Sequence, residues 1–466
     1  MFMIILLGAL TVVASGFAAR HFLLWRKSQF EIDKKELLIG CLVMSLVVIP
    51  ATAFIGYKVA INNQVTYEET WSGWETQALK IVTQCYKTKG SNPCRHCYDC
   101  DPYTVKVPYD CSYTDSKGKR VSKTCHRDET RWHSCPYATE EWTFVVKSTI
   151  DDWTIADRNL PTNPENYRWS AWKGIPDSWE NDPYHTGVPK RWQVVKDRLD
   201  AGRPDPVAVR KDYENYILAS QNTILKQYSD SMEKYKAAGL FPKLAVNPYD
   251  IYYLDRVYFV GVRPEGDWNK AINRFNAALG TTLQGDLHLV VVDANKVTDP
   301  SNYHLALMAY WQGPDFGKQA LSKNAIVVIL GTRDGKTVEW AKASTGMPLG
   351  NEMMLQQMST DLKGVALEPE AMLGYPSAKV LGERQVQVNI TQSALEKIIW
   401  GPNKFQRVRM KDHGPDSPGY AYLIKEIRPT TEQLLWIHFF VFLFTAACWT
   451  LCAYIGTPGL GHRRFR

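Results

Sequence analysis

The stretch from Leu37 to Tyr57 constrains the fold most, because it contains no ionisable side chain before its terminal tyrosine. A helix rises about 1.5 Å per residue, so about 20 apolar residues cross the ~30 Å hydrocarbon layer and satisfy their own backbone polar groups there. Pro50 lies in the second half of the stretch and predicts a kink. We therefore expect a transmembrane helix over residues 37–57.

Two further apolar stretches lie at the two ends of the chain. Residues 2–19 form the shorter one, and residues 434–456 form the other, with His438 as its single ionisable residue. An intramembrane histidine can mark a functional site, but His438 lies one turn inside the boundary, where its side chain reaches the headgroups. The sequence predicts a two-helix hairpin within residues 1–57, and a C-terminal helix with a basic tail within residues 431–466.

Basic residues predict the orientation of these helices, because lysine and arginine are enriched in cytoplasmic loops. We expect the N-terminus outside, the C-terminus in the cytoplasm and residues 58–433 on the extracytoplasmic side. Cleavage of the first stretch as a signal peptide near Ala19 would place the basic loop on the wrong face. The basic residues are Arg20, Arg26, Lys27, Lys34 and Lys35 in the loop, and Arg463, Arg464 and Arg466 in the tail.

Seven cysteines fall within one short interval of the exported region. The run Cys94-x-x-Cys97-x-x-Cys100 has a spacing that can ligate zinc, whereas an oxidising compartment favours disulfides. Alternating residues at Thr104–Val107 and Glu141–Val146 indicate strands. We expect a small disulfide-stapled antiparallel β module over residues 58–150, with zinc as the alternative and the odd cysteine unpaired or bridging a second chain. The candidates are Cys85, Cys94, Cys97, Cys100, Cys111, Cys125 and Cys135.

Residues 151–250 are expected to form an irregular wrap rich in tryptophan and proline, followed by a long helix. Asp205 is a suitable N-cap, Pro206 suits the first turn and Gly239 suits the C-terminal end. Val209, Tyr213 and later apolar residues recur every three to four positions. The sequence therefore predicts a helix over residues 206–238.

Residues 251–430 alternate between strand and helix patterns, which predicts an α/β domain. Asp267 is expected to cap its first helix, and Asp334-Gly335 is expected to form a hairpin turn. The predicted strands are Val257–Val262, Leu287–Val292, Ala325–Leu330 and Thr337–Ala343, and the later helices are Pro300–Trp311, Asn351–Leu362 and Thr391–Trp400.

The order of these elements resembles the TPM domain, a family of membrane-anchored extracytoplasmic domains of bacterial and thylakoid proteins. The resemblance covers residues 268–400 and departs from the family pattern at Ala325, which replaces a glycine, at Arg333-Asp334, which replaces paired aspartates, and at Met347-Pro348. It is carried by LVVVD (289–293), MAYWQG (308–313), KNAIVVILGTRDGK (323–336) and STGMPLGNEM (344–353).

The resemblance implies a TPM-like α/β sandwich and, from some family members, acid phosphatase activity or binding of a divalent metal. Asp293 and Asp334, at predicted strand ends, are the positions that it implies for metal ligands. Their oxygen atoms suit calcium or magnesium. From the residues alone, carboxylates at strand ends and turns are more often solvated caps.

No nucleophile elbow, phosphate-binding glycine loop or HExxH motif occurs in the sequence, so no residue is predicted to be catalytic. His288 and His304 are isolated and are expected to be structural donors. The net charge of +7 lies partly in the topogenic residues, with no basic run interleaved with aromatics in the exported part, which argues against a nucleic-acid partner.

The fold class expected is therefore an α+β membrane protein with three transmembrane helices and a large exported region. The leading functional hypothesis is a non-enzymatic envelope protein whose exported domain binds another envelope component. A metal-dependent phosphatase-like enzyme and a pore or transport subunit are the alternatives. Homo-oligomerisation is compatible with each of the three.

Overall fold

The computed structural model describes residues 2–25, 32, 34–83, 97–111, 113–114, 120–121, 124–136, 141–159, 168–171, 188–220, 229–245, 254–410, 413–414 and 417–455. Within these residues three helices are long and apolar enough to cross a membrane. This confirms the three predicted apolar spans. Each helix extends beyond its predicted span: the helices are α1 (Phe2–Trp25), the continuous run of α2 (Lys34–Val43), a π-helical turn (Met44–Val48) and α3 (Ile49–Val65), and α12 (Thr431–Ile455).

The π-helical turn immediately precedes Pro50, which lacks the N–H that an α-helix would use. A π turn absorbs such a misfit without ending the helix. Trp449 of α12 packs against Gly40 of α2, where an added Cβ would lie 2.9 Å from the indole ring, and against Gly16 of α1. Small residues let apolar helices approach closely, so the three helices form one bundle.

A five-stranded antiparallel sheet follows directly after α3, in the order β8-β7-β6-β1-β9. Helix α4 packs on it through Trp192, whose indole N–H donates to the carbonyl of Val145 at 3.2 Å. The first half of β1 pairs with β9 and its second half with β6. The elements are β1 (Thr66–Thr83), β6 (Glu141–Ser148), β7 (Asp152–Asn159), β8 (Arg168–Ala171), α4 (Lys190–Asp200) and β9 (Pro206–Glu214).

The predicted helix over residues 206–238 is wrong at its start. Residues 206–214 form β9, paired with β1 from Thr66↔Glu214 to Trp74↔Pro206. Val207 and Val209 are β-branched and two positions apart, so they fit a strand as well as a helical stripe, and pairing with β1 decides the outcome. The predicted end near Gly239 is confirmed. Two short helices follow β9, namely α5 (Tyr216–Ala219) and α6 (Ser229–Ala237), and residues 221–228 lie outside the described chain.

The expectation of an irregular wrap after residue 151 also needs correction, because β7, β8 and α4 occupy much of that segment. Strands β6 and β7 pair across the predicted boundary at residue 150, which therefore falls inside a hairpin. Alternation in Asp152–Ile155 buries Trp153 and Ile155 and explains the strand. Residues 172–187, which contain other tryptophans of this segment, lie outside the described residues.

A long two-stranded ribbon is inserted between β1 and β6. It pairs β2 with β5 in antiparallel register, and a short pair, β3 with β4, lies near its tip. The sulfur atoms of Cys111 and Cys125 are bonded across that tip. The antiparallel pairing predicted for this region is confirmed for the described residues, and one pair of the candidate cysteines lies at disulfide distance. The strands are β2 (Cys97–Asp110), β3 (Tyr113–Thr114), β4 (Arg120–Val121) and β5 (Thr124–Pro136).

The remainder is an α/β domain whose four-stranded sheet has the order β10-β11-β12-β13. The first three strands are parallel, and β13 is antiparallel to β12 in agreement with the predicted hairpin. The elements are β10 (Val257–Val260), α7 (Trp268–Leu283), β11 (Asp286–Asp293), α8 (Pro300–Trp311), a 3-10 helix (Pro314–Gln319), β12 (Ala325–Thr332), β13 (Trp340–Thr345), α9 (Glu352–Asp361), α10 (Pro369–Met372), β14 (Ser377–Val380), β15 (Val386–Asn389), α11 (Ala394–Ile399), β16 (His413–Gly414), β17 (Ser417–Pro418) and a 3-10 helix (Ala421–Lys425).

Helices α7 and α8 cover opposite faces of this sheet. Leu289 and Val291 of β11 pack with α7, whereas Val290 and Val292 pack with α8. The chain adds β11 and then β12 on the same side of the preceding strand. Because α7 and α8 lie on opposite faces, the β10–α7–β11 and β11–α8–β12 crossovers have opposite hands. One of them is therefore left-handed, an exception to the strong preference for right-handed crossovers. The loops that follow β10 and β11 consequently leave the carboxyl edge of the sheet toward opposite faces.

Candidate functional site

The carboxyl edge of the parallel sheet holds the two carboxylates predicted from the sequence. Asp293 ends β11 and is in register with Thr332, which ends β12, and Asp334 follows two residues later. Gly261, just after β10, has a positive φ of 77°. A Cβ there would lie 3.0 Å from the amine of Lys296 and 3.2 Å from Cβ of Asp293. Divergent loops at such an edge form the usual ligand crevice of open α/β sheets.

The hydrogen bonds of these carboxylates show what holds them in place. Oδ1 of Asp293 accepts from the backbone N–H and the side-chain amide of Asn295, both at 2.9 Å. Oδ1 of Asp334 accepts from the N–H of Lys336 at 2.8 Å and of Thr337 at 3.0 Å. These donors lower the pKa of Asp334, so its carboxylate is ionised and stabilises the hairpin turn.

A metal at this edge stays a prediction. Within the described residues no group of three or more histidine, cysteine, aspartate or glutamate side chains is arranged to hold an ion. The structure brings Asp293 and Asp334 to neighbouring strand ends, but each carboxylate already accepts hydrogen bonds from its own loop. A bound calcium or magnesium would need further oxygens from backbone and water.

The opposite, amino edge of the sheet holds a buried ionic network. Nε of Arg256, before β10, donates to both carboxylate oxygens of Asp286 at 3.1 and 3.2 Å. Nε2 of His288 lies 3.2 Å from Asp286, and Nδ1 of His288 lies 3.2 Å from the hydroxyl of Tyr258. Arg256 also donates to the hydroxyl of Thr70 in β1 at 3.0 Å. The network therefore ties β1 to the α/β sheet.

Burial controls the charge state of this network. Burial lowers the pKa of His288, and the pull of Asp286 only partly offsets that effect, so the imidazole is neutral. Its Nε2–H then donates to Asp286 while Nδ1 accepts from Tyr258. Burial alone would raise the pKa of Asp286, but Arg256 and His288 beside it lower the pKa overall. The result is one ion pair with a neutral histidine.

A cavity of about 30 Å³ adjoins this network, with Glu68 and Arg210 among its lining residues. That volume has room for one or two waters, and is too small for a substrate. The sequence indicates His288 as a structural donor, in agreement with these contacts. It does not indicate Arg256 and Asp286, although a charged residue that opens a buried apolar strand is a signal for a paired ion.

His304 pairs with a serine 40 positions away in the sequence. Its Nε2 lies 2.6 Å from the hydroxyl of Ser344 in β13. Burial, and then the charge of Lys342, lowers the pKa of His304 to about 4. A general base works best when its pKa lies near the working pH, so this imidazole is too weakly basic to activate the serine. The pair holds α8 on the outer face of β13.

Strand β1 connects the five-stranded sheet to the α/β domain. Its residues 69–76 are buried apart from Trp71, which is half-buried. A Cβ on Gly280 of α7 would collide with the backbone oxygen of Ser72. Nη2 of Arg407 donates to Glu69 at 2.7 Å, and the guanidinium lies 4.7 Å from the ring centre of Trp71. The α/β domain is therefore packed against β1 along this length.

Comparisons with family models, with curated proteins and with solved structures find no match. The resemblance to TPM domains consequently rests on the sequence motifs and the element order given above. The site must be interpreted from its own geometry.

The ribbon presents two exposed tyrosines on one of its strands. Cross-strand pairing places Tyr103, Val105, Val107 and Tyr109 on one face of β2, opposite a row in β5 that contains Arg131, Glu129 and Arg127. Tyr103 is 40% exposed and Tyr109 is 46% exposed. Glu129 pairs with Arg131 at 3.3 Å. Exposed tyrosines that alternate with half-buried valines beside arginines are typical of protein-binding surfaces.

Proposed function

We propose that the chain is an integral membrane protein that presents an extracytoplasmic binding and assembly domain to another envelope component, without catalysing a reaction. One observation carries the proposal: α3 passes into β1 between Val65 and Thr66 with no linker, and β1 belongs to the five-stranded sheet while also packing against the α/β domain. An extended strand of 18 residues spans about 60 Å. A single continuous strand thus connects the apolar helices to both parts of the folded domain.

The attachment at both ends supports this proposal. Val65 is buried with Tyr216 in the core of the α/β domain, and its carbonyl accepts from the N–H of Asn215 at 2.7 Å. The amide of Gln64 donates to Gln433 of α12 at 2.8 Å. Such packing fixes the orientation of the domain relative to the helices. A mobile enzyme on a tether does not need this rigidity, whereas a docking surface benefits from it.

The topology proposed with this function has the N-terminus and residues 58–433 outside and the C-terminus in the cytoplasm. The basic loop between α1 and α2 and the basic C-terminal tail support this orientation. The disulfide between Cys111 and Cys125 adds independent support, because disulfides persist in oxidising compartments. TPM-like membrane-anchored domains have the same arrangement.

Site-specific photocrosslinking of the full chain in its native membranes tests the proposal. A photoreactive phenylalanine analogue at Tyr109 or at Trp132, which is 53% exposed, is expected to give a discrete protein adduct. The matched control is the same analogue at Leu381, which is 60% exposed in the hairpin between β14 and β15. Identical patterns at all three positions, or no adduct from the ribbon, would contradict a docking role for it.

A second candidate function is a metal-dependent phosphatase-like enzyme, favoured by the position of Asp293 and Asp334 at adjacent strand ends beside Lys296. Hydrolysis of a generic phosphomonoester with calcium or magnesium should then fall to background in Asp293→Asn and Asp334→Asn. Asp299→Asn, which changes only the N-cap of α8, is the control. We expect background rates for wild type and all variants; metal-dependent turnover that only the control retains would replace our first proposal.

A further inference from the structure

A groove with a volume of about 520 Å³ runs between α3 and α12. One wall is formed by Trp436, Phe440 and Phe444, which recur every four residues along one side of α12. Ile55 and Val59 form the facing wall on α3. The groove is therefore built from two apolar ridges, which in the proposed function lie within the bilayer.

The length of the groove matches one leaflet. Its lining extends from Ala51 to Asn63 on α3 and from Gln433 to Phe444 on α12, which at about 1.5 Å per residue is roughly 16–18 Å. Half of the ~30 Å hydrocarbon thickness is about 15 Å. The groove lies at the ends of the helices that join the folded domain, so it faces the leaflet next to that domain.

The shape of the walls determines what fits between them. Transmembrane helices pack against each other through small residues that let their backbones approach. Of the small residues that line the groove, Gly56 is covered, because an added Cβ would lie 2.9 Å from Ile437, and Ala60 is buried. The rims are large side chains, with Val59 and Phe444 each 53% exposed. A third helix is held away by these rims, whereas a thin, deformable hydrocarbon chain fits between them.

The polar residues of the groove lie together at one end. Asn63 is exposed, and Gln433 lies one turn before Trp436 at the same level of the bundle. Amide groups at that depth donate hydrogen bonds to the ester and phosphate oxygens of a glycerophospholipid, and tryptophan favours the same interfacial region. The groove is thus apolar along its length and polar at its mouth.

We propose that this groove binds one acyl chain of a phospholipid from the leaflet beside the folded domain, with the glycerol backbone at Asn63 and Gln433. The inference rests on the membrane location in the proposed function. It adds a lipid ligand that orients α3 and α12, the two helices that carry the exported domain.

The test uses the full chain reconstituted in vesicles of equal parts phosphatidylethanolamine and phosphatidylglycerol, doped with a phosphatidylcholine that carries a diazirine on its acyl chain. Ala51→Phe fills the groove. Ala447→Phe, at an exposed alanine of α12 that does not line the groove, is the matched control. We expect adducts concentrated on α3 and α12 in wild type, and a yield several-fold lower in Ala51→Phe alone, because the phenyl ring occupies the space that the acyl chain needs.

A photoreactive residue at Val59 identifies the occupant independently of lipid labelling. A mass increase equal to one phospholipid supports the inference, whereas a covalent dimer or an adduct to another protein would overturn it in favour of a helix. Equal yields in Ala51→Phe and Ala447→Phe would overturn it as well. Extraction of the chain by alkaline carbonate would instead refute the membrane location, so the two failures are distinguishable.

Discussion

Arg256→Met is expected to lower the free energy of unfolding by about 3–5 kcal/mol, the usual cost of breaking a buried ion pair from one side. The substitution leaves Asp286, which is 1% exposed, with His288 as its neutral partner. It also removes the hydrogen bonds of Arg256 to Thr70 and to the carbonyl of Ala245. Because Thr70 belongs to β1, the contact between β1 and the α/β domain weakens along with the sheet.

Denaturant-induced unfolding of the full chain in detergent, followed by tryptophan fluorescence, measures this effect. Lys196→Met is the control, since it breaks a surface pair with Asp200 in α4 and should cost below about 0.5 kcal/mol. If the two variants unfold at the same denaturant concentration, the network does not have the structural role assigned to it.

The pH dependence of stability should report the same network. The folded-state pKa of His288 is lowered, so the unfolded chain binds more protons below the ordinary histidine value of about 6.5, and stability falls as the pH decreases through that value. The folded-state pKa of Asp286 is also lowered, which adds a second loss below about pH 4. Both pKa shifts therefore lower the free energy of unfolding as the pH decreases. His288→Gln should reduce the first loss, leaving the part that comes from His304, whose folded-state pKa is also lowered, and should retain the second loss.

The α/β domain is the part of the fold that the sequence predicts best, because its helix caps and apolar strands are marked by residues that are close together in the sequence. Asp267 does cap α7, with its carboxylate accepting from the N–H of Lys270 at 3.1 Å. The apolar runs of β11 and β12 are buried on both faces by helices, so their patterns depend little on distant partners. Here the sequence pattern and the tertiary environment favour the same structure.

The strand β9 was not predictable in this way, because its identity depends on pairing with β1 more than 130 residues earlier. Pro206 and Asp205 also satisfy the rules for the start of a helix. The buried ionic network was not predictable for the same reason, since Arg256, Asp286 and Thr70 come from three separate segments of the chain. Contacts between distant segments leave no periodicity in the sequence, whereas a cluster of seven cysteines does mark the region of the ribbon.

Replacing Cys111 and Cys125 by serine should open the tip of the ribbon. In the chain-entropy model, a crosslink across a separation of 14 residues stabilises the folded ribbon by about 3 kcal/mol. An isolated two-stranded ribbon is marginally stable without such help. Hydrogen exchange of β2 and β5 should therefore become much faster, while β11 and β12 in the α/β core keep their protection. The control is Cys448→Ser, which changes a free cysteine in α12.

The same double variant connects the ribbon to the proposed function. If exposed aromatics on a fixed ribbon bind a partner, the adduct from a photoreactive residue at Tyr109 should disappear in Cys111→Ser/Cys125→Ser and persist in Cys448→Ser. The α/β domain is unchanged in both variants and the double variant leaves all three apolar helices unchanged, so impaired membrane insertion does not explain a loss of the adduct in the double variant. Faster exchange with an undiminished adduct would show that binding tolerates a disordered tip, and the disulfide would then have no role in the proposed function.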